Sequence, residues 1–462
     1  VATFLYRLGS ASFRRRWLVT GVWTVLLVLF GLGAAGLSGQ LSNSVTIPGT
    51  ESQRAIDHLK ATFPEAGVGG ATARVALEAP EGQTFQNPAN QRAVGQVVAA
   101  LRDTPEVERV SDPLQTKAIS RDGTVALIQV GYDQQAFELT DADRAALLDA
   151  AGGTALTAEV GGDATRAAPE TGATEILGVL VAAVVLVITF GSLLAAGLPL
   201  LTALVGVGIG MAGITAASGL MELNANTPVL ALMIGLAVGI DYALFIVSRY
   251  RHELANGETH ERAAGRAVGT AGSAVVFAGL TVIVALAGLT VVGVPFLAEM
   301  GLAAAITVAV AVLVATTLLP AILGFAGDKV RAGRLLRGGP KPGRAGMGER
   351  WARFVSRHRV PTLVVAIAGL AIVAVPAASM QLGLPNDATA APESSQHKAY
   401  ELVSDGFGAG ANGPLTVVVD TSASDDPQAA VRLAAQRIGG LDNVATVTPP
   451  QLNRTGDTAL LT

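Results

Sequence analysis

The sequence predicts a polytopic α-helical membrane protein that carries a folded α+β domain outside the membrane. Three observations point there. The chain has a mean hydropathy of +0.49 with only 15% charged residues. Its uncharged residues are gathered into long apolar runs, and its Lys/Arg clusters fall in alternate connections between those runs. A soluble chain of this size carries about a quarter charged residues, so the deficit has to be local.

The apolar runs lie at 17–37, 173–192, 195–217, 227–248, 271–292, 296–325 and 361–380. Each approaches or exceeds the ~18–20 residues that a bilayer crossing requires. The first follows Arg14, Arg15 and Arg16; it is too long for the h-region of a signal peptide and reads as a retained helix. Those arginines place the N-terminus in the cytoplasm by the positive-inside rule. Counting spans from there puts 249–270 and 326–360 in the cytoplasm, and both are rich in Lys and Arg, including Lys329, Arg331, Arg334, Arg337, Lys341 and Arg344. The same count puts 38–172 and 381–462 outside. The expected organisation is 1–37 as cytoplasmic N-terminus and first span, 38–172 as the first outer domain and 173–325 as a five-helix block. A basic linker at 326–360, a seventh span at 361–380 and the beginning of a second outer domain at 381–462 complete it. The localisation this implies is the cell (inner or plasma) membrane.

The first outer region reads as a small split-βαβ, ferredoxin-like domain. Thr72–Glu78 alternates as a half-buried strand does, and Asn87–Thr104 places Val94, Val97, Val98 and Leu101 on one helical face. Strand-like Val107–Val110 and Val125–Tyr132 follow, then a helix at Asp141–Ala151 behind a Thr140 cap, then a closing strand at Leu156–Val160. Part of this order recurs after the seventh span. Pro414–Asp420 is strand-like, Pro427–Ile438 helical and Val444–Val447 strand-like. Pro48, Arg54, Ala55, Leu59 and Phe63 align at constant spacing with Pro392, Lys398, Ala399, Val403 and Phe407. Gly123-Thr-Val-Ala-Leu127 matches Asp457-Thr-Ala-Leu-Leu461, which puts the last residues inside a strand. An unpaired strand edge is a liability, so the chain is expected to be about the first half of a duplicated protein.

Composition also excludes several chemistries. There are no cysteines, hence no thiolate metal site or cysteine nucleophile. His58, His252, His260, His358 and His397 lack ligand spacing, so no metal site is expected. Gly208-Ile-Gly210-Met-Ala-Gly213 matches a dinucleotide fingerprint in letters only, because it lies inside an apolar run with no preceding strand; a packing seam is the better reading. No nucleophile–base pair, phosphate loop or basic aromatic patch is present, so neither an enzyme, a cofactor nor a nucleic-acid partner is expected.

The informative motif is Gly235-Leu-Ala-Val-Gly239-Ile-Asp241-Tyr242-Ala-Leu-Phe245 in the fourth run. Asp241 falls about 12 Å deeper than Arg249 along a helix axis. A carboxylate at that depth costs ~2.5–3.5 kcal/mol on insertion scales, and desolvation favours its neutral form. It can therefore take up a proton from one side and release it on the other, while Tyr242 can donate a hydrogen bond to an ionised partner on a neighbouring helix. The competing role for Asp241 is a protonated group that locks helix packing. Gly235 and Gly239 form a GxxxG pair, for which helix packing is the expected role. Glu175 and Glu299, near the outer ends of their runs, read as interfacial, with a role in a proton path as the alternative; Asn224, Asn226 and Thr227 before Pro228 read as helix capping.

A first helix, a large outer domain, five helices, a basic linker and a repeat resemble the resistance–nodulation–division (RND) superfamily. Within it, Leu230-Ala-Leu-Met-Ile-Gly-Leu-Ala-Val-Gly-Ile-Asp-Tyr-Ala-Leu-Phe-Ile-Val-Ser-Arg-Tyr250 resembles the MMPL family (mycobacterial membrane protein large). The resemblance implies an RND-type fold with two porter domains and proton-driven export of lipids or other hydrophobic molecules. It implies that Asp241 and Tyr242 form a proton relay facing a second Asp-Tyr pair on a tenth helix, beyond Thr462, and that Phe245 lines the central channel. Ser273 and Ala278 stand where many members carry Arg and Ser. The partners implied are a lipid or hydrophobic small molecule, protons, membrane lipids and the other half of the same protein, with oligomeric and accessory partners left open. Drug or solvent efflux, a sterol-sensing-like scaffold and a SecDF-like protein-export motor are the alternatives that share the plan.

Overall fold

The computed structural model covers residues 1–462 and describes all of them except 40, 43–45, 64–69, 137, 167–172, 331–346, 381–382 and 384–385. The basic run from Arg331 to Arg344, and the side chain of Glu175, lie outside the described residues. In chain order the elements are α1 (Ala2–Arg14), α2 (Arg16–Leu37), β1 (Leu41–Ser42), α3 (Glu51–Thr62), β2 (Thr72–Glu78), α4 (Pro88–Arg102), β3 (Val107–Val110) and α5 (Pro113–Thr116). Then come β4 (Val125–Tyr132), α6 (Asp141–Gly152), β5 (Thr157–Gly161), α7 (Ala173–Phe190), α8 (Leu193–Ala217), β6 (Leu223–Asn224), α9 (Asn226–Ala255) and α10 (His260–Ala287). The last are α11 (Pro295–Leu313), α12 (Leu319–Ala326), α13 (Met347–Arg357), α14 (Arg359–Ala374), α15 (Ser395–Phe407), β7 (Val417–Asp420), α16 (Pro427–Gly439), β8 (Gln451–Leu452) and β9 (Thr458–Leu461). They form two compact units: a helical one from Val1–Ile47 and Thr171–Met380, and an α/β one from Pro48–Glu170 and Gln381–Thr462.

In the helical unit, six described helices are long and apolar enough to cross a membrane, and Ile176–Phe190 within α7 is a shorter apolar helix. This makes the chain a multi-pass membrane protein. Hydropathy located the apolar part of each helix and missed its polar continuation. α9 runs on to Ala255 and α10 begins at His260, so most of the polar stretch 249–270 is helix. Charge pairing sustains it: Glu253 is buried and takes Arg249 at 2.7 Å and Arg266 at 3.3 Å, and Arg266 also reaches Glu258 at 2.8 Å. α1 is a further difference, since the apolar pattern starts only at Trp17. α1 lies across α10 where glycines let two backbones approach; a carbon added at Gly265 or Gly269 would run into Tyr6. α11 and α12 are joined by a π-helical turn at Val314–Leu318, immediately before Pro320, which has no N–H to continue the ladder.

The α/β unit contains a four-stranded antiparallel sheet in the order β3–β4–β2–β5. Its elements follow β–α–β–β–α–β along the chain. Val94, Val97, Val98 and Leu101 of α4, with Leu147 and Ala151 of α6, bury one face against Val75, Leu77, Ala126, Ile128 and Val130. α4 starts where Asn87 accepts from Ala89 N, with Pro88 in the first turn, and α6 starts at a reciprocal Thr140–Asp143 capping box. The opposite face, at Ala76 and Leu127, is covered by Ala399 and Val403 of α15.

A second, three-stranded sheet in the order β7–β9–β8 repeats part of this plan. Its details correct two expectations. First, Gly123 corresponds to Gly456 rather than Asp457: both are turn glycines with positive φ (76° and 75°). Gly123 N donates to Ser120 O as Gly456 N does to Asn453 O, so the second strand aligns one residue earlier. Second, Val444–Val447 is not a strand. Its counterpart β3 pairs with Val130–Tyr132. Ser111 N donates to Gln129 O just as Thr448 N donates to Thr462 O, but among the described residues no strand pairs with 444–447. The helices that precede the sheets are exchanged. α15 covers the first sheet, while α3 touches the second, with His58 Nε2 3.0 Å from Thr458 Oγ1 and Asn453 Nδ2 donating to Thr62 O.

Candidate functional site

α9 is anchored at its start. Asn226 N donates to Asn224 Oδ1 (3.0 Å), and Asn224 N donates to Glu299 Oε2 (3.2 Å). Glu299, expected first as an interfacial carboxylate, thus ties α11 to the entry of α9. Thr227 Oγ1 is buried with no hydrogen-bond partner among the described residues.

One side of α9 is packed tightly. A carbon added at Gly235 would lie 2.6 Å from Thr307 Cγ2 and 3.2 Å from Val207 Cγ2; at Gly239 it would lie 3.1 Å from Ala203 Cβ. The same Thr307 fills the space at Gly210, 2.8 Å from an added carbon, while Gly208 and Gly213 face Leu27 and Phe30. The glycines of the nucleotide-like motif therefore seat neighbouring helices. Tyr242, Ala243, Ile246, Val247 and Tyr250 continue the buried side of α9.

The other side is open. The structure brings Asp241 and Tyr242 together at the edge between the two sides. Tyr242 is buried, its ring over Gly279 of α10, where an added carbon would be 3.5 Å from Cε2 and 3.7 Å from Oη. Asp241 is exposed, and among the described residues nothing pairs with its carboxylate. Phe245, one turn on, is 57% exposed. Tyr242 and Phe245 line a cleft of about 160 Å³ with Ala271, Ala274, Val275 and Ala278. No charged side chain lines it. Ser273 Oγ donates back to Thr270 O (2.7 Å) within its own helix. Sequence reasoning missed Gly279 and Thr307. Neither belongs to the motif, and only the packing of α10 and α11 on α9 reveals them.

The model of the MMPL family matches residues 44–364. Membrane protein YdfJ of Bacillus subtilis is 39% identical over all of this chain and 64% of its own length. The mycolic acid-containing lipids exporter MmpL11 of Mycolicibacterium smegmatis is 28% identical over 99% of this chain and 50% of its own. The heme uptake protein MmpL11 of Mycobacterium tuberculosis is 30% identical over 99% and 49% respectively. The chain thus spans between about half and two thirds of these relatives.

Proposed function

Since this chain belongs to the MMPL family, we propose that it forms about the first half of a membrane transporter that exports a lipid or other hydrophobic molecule at the expense of the proton-motive force. Asp241 is the proton carrier, Tyr242 orients and relays, and Phe245 lines the path beside them. The observation that carries this reading is the two-sidedness of α9. A carboxylate within a membrane helix sits unpaired on an open face, while the opposite face is locked by Gly235 and Gly239. A lone carboxylate in the hydrocarbon is costly, and an opposing helix with a second Asp-Tyr pair would remove that cost. The four-stranded domain is the first porter domain, ferredoxin-like and extracytoplasmic, and 381–462 opens the second. The N-terminus is cytoplasmic by the Arg14–Arg16 cluster, and the membrane is the cell membrane. Relatives named for lipid export and heme uptake support a bulky, largely apolar cargo.

In full-length protein reconstituted into vesicles with an imposed pH gradient, Asp241→Asn brings gradient-driven cargo movement to the uncoupled background, with folding unchanged by thermal unfolding. Export by Asp241→Asn at the parent rate refutes the relay.

A further inference from the structure

α13 has no assigned role. It is an eleven-residue helix joined through the single turn residue His358 to α14, which begins at Arg359 and is apolar enough to span a membrane. So short a connection puts the C-terminal end of α13 at the water–lipid boundary where that span begins. Arg350, Trp351, Phe354 and Arg357 recur at helical spacing, so they share one face with an arginine at each end. The two aromatic rings stack with centroids 5.7 Å apart and stand 64% and 50% exposed. His358 extends the stack, 4.8 Å from Phe354.

The first copy of the repeat decides what this face meets. α1 likewise ends one residue before a span, at Arg15, whose backbone (φ −95°, ψ 36°) matches that of His358 (φ −112°, ψ 41°). Aligning the two breaks pairs Arg7, Leu8, Ala11 and Arg14 with Arg350, Trp351, Phe354 and Arg357, and Gly9 and Ser12 with Ala352 and Val355. In α1, Gly9 and Ser12 are buried, whereas Arg7 and Arg14 are exposed and Leu8 and Ala11 only half-buried. That side is the less buried one of α1, touching the helical unit only at its margin, where Leu8 packs beside the core and Arg14 reaches Glu261 of α10 (3.2 Å); the aromatic–arginine face of α13 corresponds to this more open side.

We propose that α13 is a membrane-surface anchor that recognises anionic phospholipid: Trp351 and Phe354 insert among the acyl chains while Arg350 and Arg357 hold the headgroups. Amphipathic basic helices with aromatic residues bind anionic interfaces in this way. The inference rests on α14 crossing the membrane and is independent of the transport reading.

The test uses the whole chain in vesicles of phosphatidylcholine with a minority of phosphatidylglycerol. Bromine is placed on the phosphatidylglycerol or on an equal amount of phosphatidylcholine. The fluorescence difference between the parent and Trp351→Phe isolates Trp351 from Trp17 and Trp23. Quenching of Trp351 by the brominated anionic lipid should exceed that by the zwitterionic one about two-fold or more. The paired change Arg350→Gln with Arg357→Gln should bring the ratio to about one while Trp351 stays lipid-quenched. A ratio of one in the parent, an unchanged ratio in the paired variant, quenching by aqueous iodide in place of lipid, or quenching by neither overturns the proposal; iodide quenching is expected of a helix facing water and quenching by neither of one docked on protein.

Discussion

α1–α2 and α13–α14 are two copies of one device, an amphipathic basic helix broken at one residue before an apolar span. The spans have nearly the same mean hydropathy, 2.2 for α2 and 2.3 for α14. Their surroundings are opposite. α2 lies on the helical unit, where Trp23 Nε1 donates to Thr317 Oγ1 (3.0 Å) and Leu27 and Phe30 sit over Gly208 and Gly213 of α8. α14 is exposed from Leu363 to its end at Ala374. Hydropathy states that a segment enters the bilayer; it does not state what the segment packs against. That information lies in the partner, where small residues leave room for a close approach. On the proposed duplicated plan, the counterpart of α8 would fill that place for α14.

The α/β unit carries the same contrast, and its exchanged helices give the largest predicted effect. Asp387, 4% exposed and placed just before α15, binds Arg74 (3.1 Å) and accepts from Gly162 N (2.8 Å). Ser395 Oγ accepts from Val160 N (2.7 Å) beside it. Asp387→Ala removes the carboxylate partner of the half-buried Arg74, which keeps only neutral contacts to Asn412, and leaves the Gly162 N–H unpaired, so it should destabilise the α/β unit by about 3 kcal/mol. Replacing both partners, Arg74→Met with Asp387→Leu, should cost much less, because no charge is then stranded. Chemical unfolding of the parent and the two variants checks this. Equal losses for the single and double changes would mean that α15 is not held through this pair.

The second effect belongs to the packed side of α9. Gly235→Ala puts a carbon against Thr307 Cγ2, and overpacking of this kind costs about 1–3 kcal/mol. Thr307→Ser removes that methyl yet retains the hydroxyl that donates to Ala303 O (2.9 Å). Combined with Gly235→Ala it should recover most of the loss, as read by thermal unfolding in detergent. An additive result would mean that the two positions do not share the space. The open side offers the contrast: Phe245→Ala should change the stability of this chain by less than about 0.5 kcal/mol.

How much of this was legible follows from which interactions are local. The strands Thr72–Glu78, Val107–Val110 and Val125–Tyr132 and the Thr140 cap were readable because alternation and capping are short-range patterns. The apolar core of each membrane helix was readable for the same reason. α1 and the polar ends of α9 and α10 were not. Their helicity rests on tertiary partners, namely Tyr6 on Gly265 and the Arg249–Glu253–Arg266 cluster. Val444–Val447 shows the reverse failure: it has strand composition, but no described strand pairs with it. At the candidate site the motif marked Asp241 and Tyr242. Gly279 and Thr307 are invisible without knowing which helices neighbour α9.

The caps of the exchanged helices make a finer test of the repeat. Thr50 Oγ1 accepts from Gln53 N (3.2 Å), and Ser394 Oγ accepts from His397 N (3.4 Å), at the same position of α3 and α15. Thr50→Ala and Ser394→Ala should each cost about 1 kcal/mol. Hydrogen exchange should report the loss locally, in α3 for the first variant and in α15 for the second. Losses that differ by more than about two-fold would show that the two copies have diverged in how much each cap carries.

A near-zero effect at Gly369 makes the sharpest test of α2 against α14. A carbon added at Gly33 would lie 3.6 Å from Ala216 Cβ, whereas nothing lies within 4 Å of one added at Gly369. Gly33→Leu should therefore destabilise this chain by about 1–3 kcal/mol through overpacking, and Gly369→Leu should change it by less than about 0.5 kcal/mol, as surface substitutions do. The same Gly369→Leu introduced into the full-length protein should become as costly as Gly33→Leu, if the counterpart of α8 closes on α14. Equal and negligible cost in both forms would mean that Gly369 faces lipid in the whole protein, and that the two spans, alike in sequence plan, pack by different rules.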